Sequence, residues 1–142
     1  MITLQYPLEI NYILRKKKSI KKDLLLNDDF IEKNIAILGG STTSEIKNIL
    51  EIFLLKNGIK PKFYESEYNK YYEDALFGSD ELDKFNPDVI YIHTTNKNII
   101  KYPELKDASE DVATLLSYEI QRYKSIWSSL SKFDCAIIQN NF

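Results

Sequence analysis

The stretch spanning residues 35–65 narrows the possible folds more than any other part of the chain. Ile35, Ala36, Ile37 and Leu38 form an uninterrupted apolar run that stops at Gly39 and Gly40. A strand buried on both faces reads this way, because neither side needs polar residues. Thr42 followed by Glu45 has the spacing of a capping box and predicts a helix opening there. Ile46, Ile49, Leu50, Phe53 and Leu54 then recur at helical intervals, and Gly58 stands where a C-terminal cap glycine belongs. A second strand is predicted over residues 60–65. Strand, helix and strand in so short a span make a βαβ unit, with parallel strands and a right-handed crossover.

The rest of the chain extends this pattern. Residues 8–26 read as a helix with Ile10, Ile13, Leu14, Ile20 and Leu24 on one face, interrupted by Lys17. Short helices are expected near residues 71–77 and 79–84. Pro87 tolerates only the start of a strand, so the third strand is placed at residues 89–93. A polar loop carrying Thr94, Thr95, Asn96, Lys97 and Asn98 follows. Val112, Leu116, Ile120, Tyr123, Trp127 and Leu130 mark a long amphipathic helix, with Asp107 and Glu110 spaced to cap it. Residues 135–138 supply a fourth strand. Alternating strands and helices imply an open, doubly wound α/β sheet of about four strands. The order 2-1-3-4 is expected, since it lets the first strand lie beside the third.

The organisation expected is one domain over residues 1–142, with a basic helical segment at 1–33 and an α/β core at 34–142. After the fourth strand the sheet keeps an edge that a further helix and strand would ordinarily cover. A truncated longer chain and a stand-alone remnant read alike at this point.

Composition removes several function classes. Formal net charge is −2, which argues against a dedicated nucleic-acid binder. No apolar run approaches the roughly 18 residues of a membrane span, and the first residues do not form a secretory signal. Cys135 is the only cysteine, so no internal disulfide is possible and a reducing cytoplasm is the expected compartment. With one cysteine and one histidine there is no zinc-type cluster. No metal or cofactor is expected.

In doubly wound sheets, ligands bind beyond the carboxyl ends of the strands, where the strand order reverses. Ser41 and Thr42 follow the first strand, Glu65 and Glu67 the second, and His93 to Asn96 the third. Ser41 at a helix N-terminus has a nucleophile's setting, with backbone N–H groups ready to stabilise an oxyanion. Ordinary helix capping explains a serine there equally well. His93 is the only imidazole that could act as a base, yet no carboxylate is obviously placed to orient it. Asn96 is either a site residue or a loop former. Gly39, Gly40, Thr42, Glu65 and Thr95 complete the candidate ligand-binding set. The Gly39-Gly40-Ser41 turn would suit a phosphate, although it lacks the lysine of a P-loop. Arg15, Lys16, Lys17 and Lys18, with Lys21 and Lys22, form a basic run that is either a solvated helix face or a docking site for an acidic partner. Tyr64, Tyr68, Tyr71 and Tyr72 read as amphipathic edge packing.

The segments Ile-Ala-Ile-Leu-Gly-Gly-Ser-Thr-Thr (35–43), Phe-Tyr-Glu-Ser-Glu-Tyr-Asn (63–69), Ser-Asp-Glu-Leu-Asp-Lys-Phe-Asn-Pro-Asp (79–88), Val-Ile-Tyr-Ile-His-Thr-Thr-Asn (89–96) and Ile-Ile-Gln-Asn-Asn-Phe (137–142) together resemble the N-terminal domain of FkbH-like proteins. In that family an SGNH-hydrolase-like domain precedes a phosphatase-type domain of haloacid dehalogenase superfamily subfamily IIIC. The resemblance implies a three-layer, Rossmann- or flavodoxin-like sandwich. It aligns Ser41 with the SGNH nucleophile and Asn96 with the asparagine that helps bind the oxyanion. Gly40, Thr94 and Lys97 depart from the family's Asp, Gly and Asp, and the C-terminal Asp-x-x-His pair that supplies the base in SGNH enzymes would lie beyond residue 142. A vestigial binding or docking domain is therefore expected. Its implied partners are an acyl carrier protein, a nucleotide-sugar-pathway enzyme or the haloacid-dehalogenase-type catalytic domain. Its implied setting is glyceryl loading or surface-polysaccharide synthesis. A serine esterase or acyltransferase using Ser41, His93 and Asn96 is the alternative, and a small-phosphate binder the third reading.

Overall fold

The structure, a computed structural model, describes residues 4–141. Helix α1 (Ile10–Leu24) leads into β1 (Ile31–Gly39), α2 (Ser44–Lys56) and β2 (Ile59–Glu65). Helices α3 (Tyr71–Phe77) and α4 (Asp80–Phe85), strand β3 (Val89–His93), helix α5 (Ser109–Leu130) and strand β4 (Ala136–Gln139) follow. A 3-10 turn at Asn96–Asn98 links β3 to the long approach of α5. All four strands are parallel, in the order β2-β1-β3-β4. This is the expected topology of a three-layer α/β sandwich, with β1 and β3 side by side in the middle.

The strand alternation divides the core. Ala36, Leu38, Ile90 and Ile92 face Tyr71, Ala75, Leu82, Ile126 and Leu130 of α3, α4 and α5, all nearly inaccessible. Burying each of the leucine and isoleucine side chains is worth about 1.5–3 kcal/mol, which makes this cluster the main source of stability. Ile35 and Ile37 point to the opposite face, the side on which the right-handed β1-α2-β2 crossover lays α2. A second cluster forms outside it, where Leu4, Ile13 and Ile20 pack on Ile52, with Leu24, Ile49 and Phe53 around them. On that same face of the sheet, Tyr91 is paired in register with Ile138 and Val89 with Ala136. Ile138 remains 54% exposed, so the β3–β4 half is open among the described residues.

Gly58 adopts φ +77° just past α2, the left-handed cap for which a glycine is preferred. Its N–H bonds the Leu55 carbonyl at 3.1 Å.

Several local expectations are corrected. The N-cap of α2 is Thr43, whose side chain makes no capping bond, and Thr42 lies outside the helix. Glu45 does not close a capping box, because Lys17 of α1 captures its carboxylate at 2.5–2.8 Å. Helix α1 buries Ile13 and Ile20 but leaves Ile10 and Leu14 in solvent. The opening of α5 is capped by Asp111, which accepts from the Ala108 N–H at 3.2 Å, while Asp107 accepts from the Glu104 N–H at 2.8 Å one turn earlier. The stripe of α5 that includes Val112, Leu116, Ile120 and Trp127 is exposed, and the buried stripe is Arg122, Ile126 and Leu130.

Candidate functional site: the crevice between the first and third strands

Register brings the candidate loops together. Gly39 is the partner of His93 across β1 and β3, and the Gly40 N–H donates to the His93 carbonyl at 2.8 Å. The Gly39 N–H donates to Ser66 Oγ at 2.9 Å, and Ser66 itself donates its N–H to the Ile37 carbonyl at 2.9 Å. Both glycine amides of the alternative phosphate-cradle reading are thus engaged within the fold.

Asn98 joins the loops from three strands. Its Nδ2 donates to the Gly40 carbonyl at 2.8 Å and to Asn69 Oδ1 at 3.2 Å. Its Oδ1 accepts from the Thr95 N–H at 2.8 Å. Asn69, after β2, sits at φ 60°, a conformation asparagine tolerates better than most residues. The amide of Asn98 lies so close to Gly40 that a Cβ there would stand 2.5 Å from it. A glycine is required at position 40 for this close approach, independently of its backbone angles.

Behind Asn98 stands Arg122, whose side chain is 5% exposed. Its guanidinium donates to the Tyr71 hydroxyl at 2.7 Å, the Asn98 carbonyl at 3.0 Å and Glu119 Oε1. It also lies 4.9–5.8 Å from the ring centres of Tyr71, Tyr72 and Tyr123. Burial alone would lower its pKa, but the hydrogen bonds and charges of Glu119 and Tyr71 outweigh it and keep the group firmly protonated. A second brace surrounds Thr94, which is fully buried. Asn140 accepts from the Thr94 N–H at 2.9 Å and donates to its carbonyl at 2.8 Å, while Gln139 Nε2 donates to Thr94 Oγ1 at 2.9 Å. Tyr123 donates to that hydroxyl at 3.2 Å. Residues Ile99, Leu116, Ile120, Trp127, Gln139 and Asn140 edge a groove of about 360 Å³ beside this brace.

The remaining candidates fall around this frame. His93 ends β3, half-buried, with Nδ1 3.1 Å from the Tyr91 hydroxyl. Burial holds its pKa below the ordinary value. Ser41 is half-buried and Thr42 exposed in the turn before α2. Among the described residues no hydrogen bond links Ser41 to His93 and none joins the ring to a carboxylate. Asn96 is exposed on the 3-10 turn, its carbonyl accepting from Tyr102. Thr95 Oγ1 accepts from the Lys97 N–H at 3.3 Å. Glu65 Oε2 lies 2.9 Å from Lys47 Nζ, an ion pair by distance without hydrogen-bond alignment. Glu67 pairs with Lys70, which lowers its pKa. In the basic run, Lys17 is committed to Glu45 and Lys21 to Glu51, whereas Arg15, Lys16 and Lys18 project outward. Among the described residues no group of three His, Cys, Asp or Glu is placed to hold a metal ion.

Sequence reasoning missed Ser66, Asn69, Asn98, Arg122 and Asn140. The one local signal was the asparagine-rich loop at 96–98, which offers two amides but not which of them turns inward.

No protein-family profile and no curated protein matches the chain. Among solved structures it is similar to the crystallised N-terminal part of the protein BF1531 from Bacteroides fragilis, described as containing a phosphatase domain complexed with Mg. The TM-score is 0.68 at 16% identity, over 88% of this chain and 32% of that one. The likeness establishes the fold, and this chain spans about a third of that neighbour's length. No helix in the described residues is long and apolar enough to cross a membrane.

Proposed function

We propose that the chain is a non-hydrolytic SGNH-like binding domain of the FkbH-like type, which works beside a phosphatase-type catalytic domain. The observation that carries this reading is the state of the sole imidazole. His93 shares its Nδ1 with the Tyr91 hydroxyl, and among the described residues no carboxylate bonds to the ring to orient it or stabilise its charge. A serine nucleophile needs a base held by such a third group. The backbone supports the same reading. With the Gly39 and Gly40 amides tied to Ser66 and His93, neither glycine offers a free donor to an oxyanion or to a phosphate. The neighbour whose description includes a phosphatase domain supports the pairing with such a domain. Glyceryl loading onto a carrier protein, or surface-polysaccharide synthesis, is the setting the resemblance suggests for that pair.

The test is direct. A fluorophosphonate probe and p-nitrophenyl acetate are offered to the wild type and to Ser41→Ala. Equal, background labelling and turnover are expected. Labelling that disappears with Ser41→Ala would establish the esterase or acyltransferase alternative, with Ser41, His93 and Asn96 as its residues.

A further inference from the structure

Helix α1 carries Arg15, Lys16, Lys17, Lys18, Lys21 and Lys22 against a single internal acid, Asp23, in a chain whose overall charge is −2. Its cations are sorted by direction. Lys17 and Lys21 turn toward α2 and pair with Glu45 and Glu51. Advancing by about 100° per residue, the outward arc runs from Leu14 through Lys18, Lys22 and Arg15 to Tyr12, with Ile10 at its margin on the far side of Lys21. No carboxylate lies on this arc. Asp23 falls beyond it, beside Lys16.

The same arc is unusually apolar for a solvated face. Ile10 is 62% exposed and Leu14 44%, and at the two ends Tyr6, Leu8, Leu25 and Leu26 are also open to solvent. Aliphatic side chains among lysines, with tyrosines at one end, suit the boundary between lipid headgroups and acyl chains. The far side of the molecule has the opposite charge. Helices α3 and α4, across the sheet, carry Glu73, Asp74, Asp80, Glu81 and Asp83 in their first turns. Such a charge dipole would orient the molecule with α1 toward a negative surface.

We infer that the outer face of α1 is a docking surface for an anionic lipid bilayer. Arg15, Lys18 and Lys22 meet the headgroups, and Ile10, Leu14, Leu25 and Leu26 enter the boundary region. A lipid surface fits better than an acidic protein because the apolar residues spread along a convex helix and past both its ends. This inference does not depend on the function proposed for the crevice.

Co-flotation of the full chain with vesicles tests it. Vesicles of phosphatidylcholine with one-third phosphatidylserine are expected to bind the protein, and pure phosphatidylcholine vesicles are not. Lys18→Gln with Lys22→Gln should weaken binding by about thirtyfold, at about 1 kcal/mol for each cation. Ile10→Ser with Leu14→Ser should weaken it several-fold more than the loss caused by added salt alone. These positions are exposed, so circular dichroism and urea unfolding should show intact variants. Absence of binding to the anionic vesicles overturns the inference, as does binding indifferent to Ile10→Ser and Leu14→Ser. Binding of an acidic carrier protein through Lys18 and Lys22 while the vesicles are ignored would overturn it too, and would assign the face to a protein partner.

Discussion

His93 ends β3 with its ring against Tyr91, and burial lowers its pKa from the ordinary value of about 6.5. In the unfolded chain the imidazole takes a proton more readily than in the folded one. Its contribution to stability is therefore complete above the unfolded pKa and is lost as pH falls toward the folded pKa. As the chain has one histidine, the test is clean. Urea midpoints should fall between about pH 7.5 and about pH 5.5, and His93→Gln should remove the histidine part of that fall. The single imidazole resonance should titrate below the free value. Titration above it would reveal a carboxylate partner and revive the catalytic reading. At this scale the sequence located the loops that meet between β1 and β3, but not the atoms that join them. Gly39 and Gly40 were visible as a break in an apolar run. Nothing local distinguishes Asn98, which crosses to Gly40, from Asn96, which faces water, because the difference is made by contacts some 58 residues away.

Helix α5 shows how an element can be found correctly and still be turned the wrong way. Its apolar spacing announced a long amphipathic helix, yet the stripe through Leu116, Ile120 and Trp127 faces out. The inward stripe includes a charged residue, Arg122, which periodicity would assign to solvent. Tyrosines from α3 surround the guanidinium, and Asn98 and Glu119 accept its protons. Helix starts failed for a related reason: Glu45 had a better partner in Lys17 of another helix than in the backbone of its own. The brace makes a specific prediction. Arg122→Ala should cost about 3 kcal/mol in urea unfolding, since it strands Glu119 and the Asn98 carbonyl. Arg122→Lys should cost less, keeping the charge but losing the planar fork. In both variants, amide shifts should move at residues 95–98 and at Gly40 as well as along α5. Changes confined to α5 would show that the crevice loops are held by other means.

The molecule as a whole rests on two apolar clusters separated by a layer of structure. Strand order was legible because a continuous apolar run, a βαβ unit and a proline before the third strand leave few arrangements of four parallel strands. The division into clusters was not, since it depends on which side chains of α1 reach α2. The larger cluster joins the sheet to α3, α4 and α5. The smaller one holds α1 through Leu4, Ile13, Ile20 and Ile52, with Leu24, Ile49 and Phe53. The Lys17–Glu45 and Lys21–Glu51 pairs add little, because water and salt screen ion pairs this exposed. Helix α1 should therefore open without the sheet, as a local unit of low stability. Hydrogen exchange followed by mass spectrometry should find residues 10–24 exchanging well before residues 35–39 and 89–93. Ile13→Ala, which removes about 2–5 kcal/mol of packing from the smaller cluster, should speed exchange in α1 and leave the two central strands at the wild-type rate. Uniform acceleration across α1, β1 and β3 would mean that the clusters unfold together and that α1 is integral to the core.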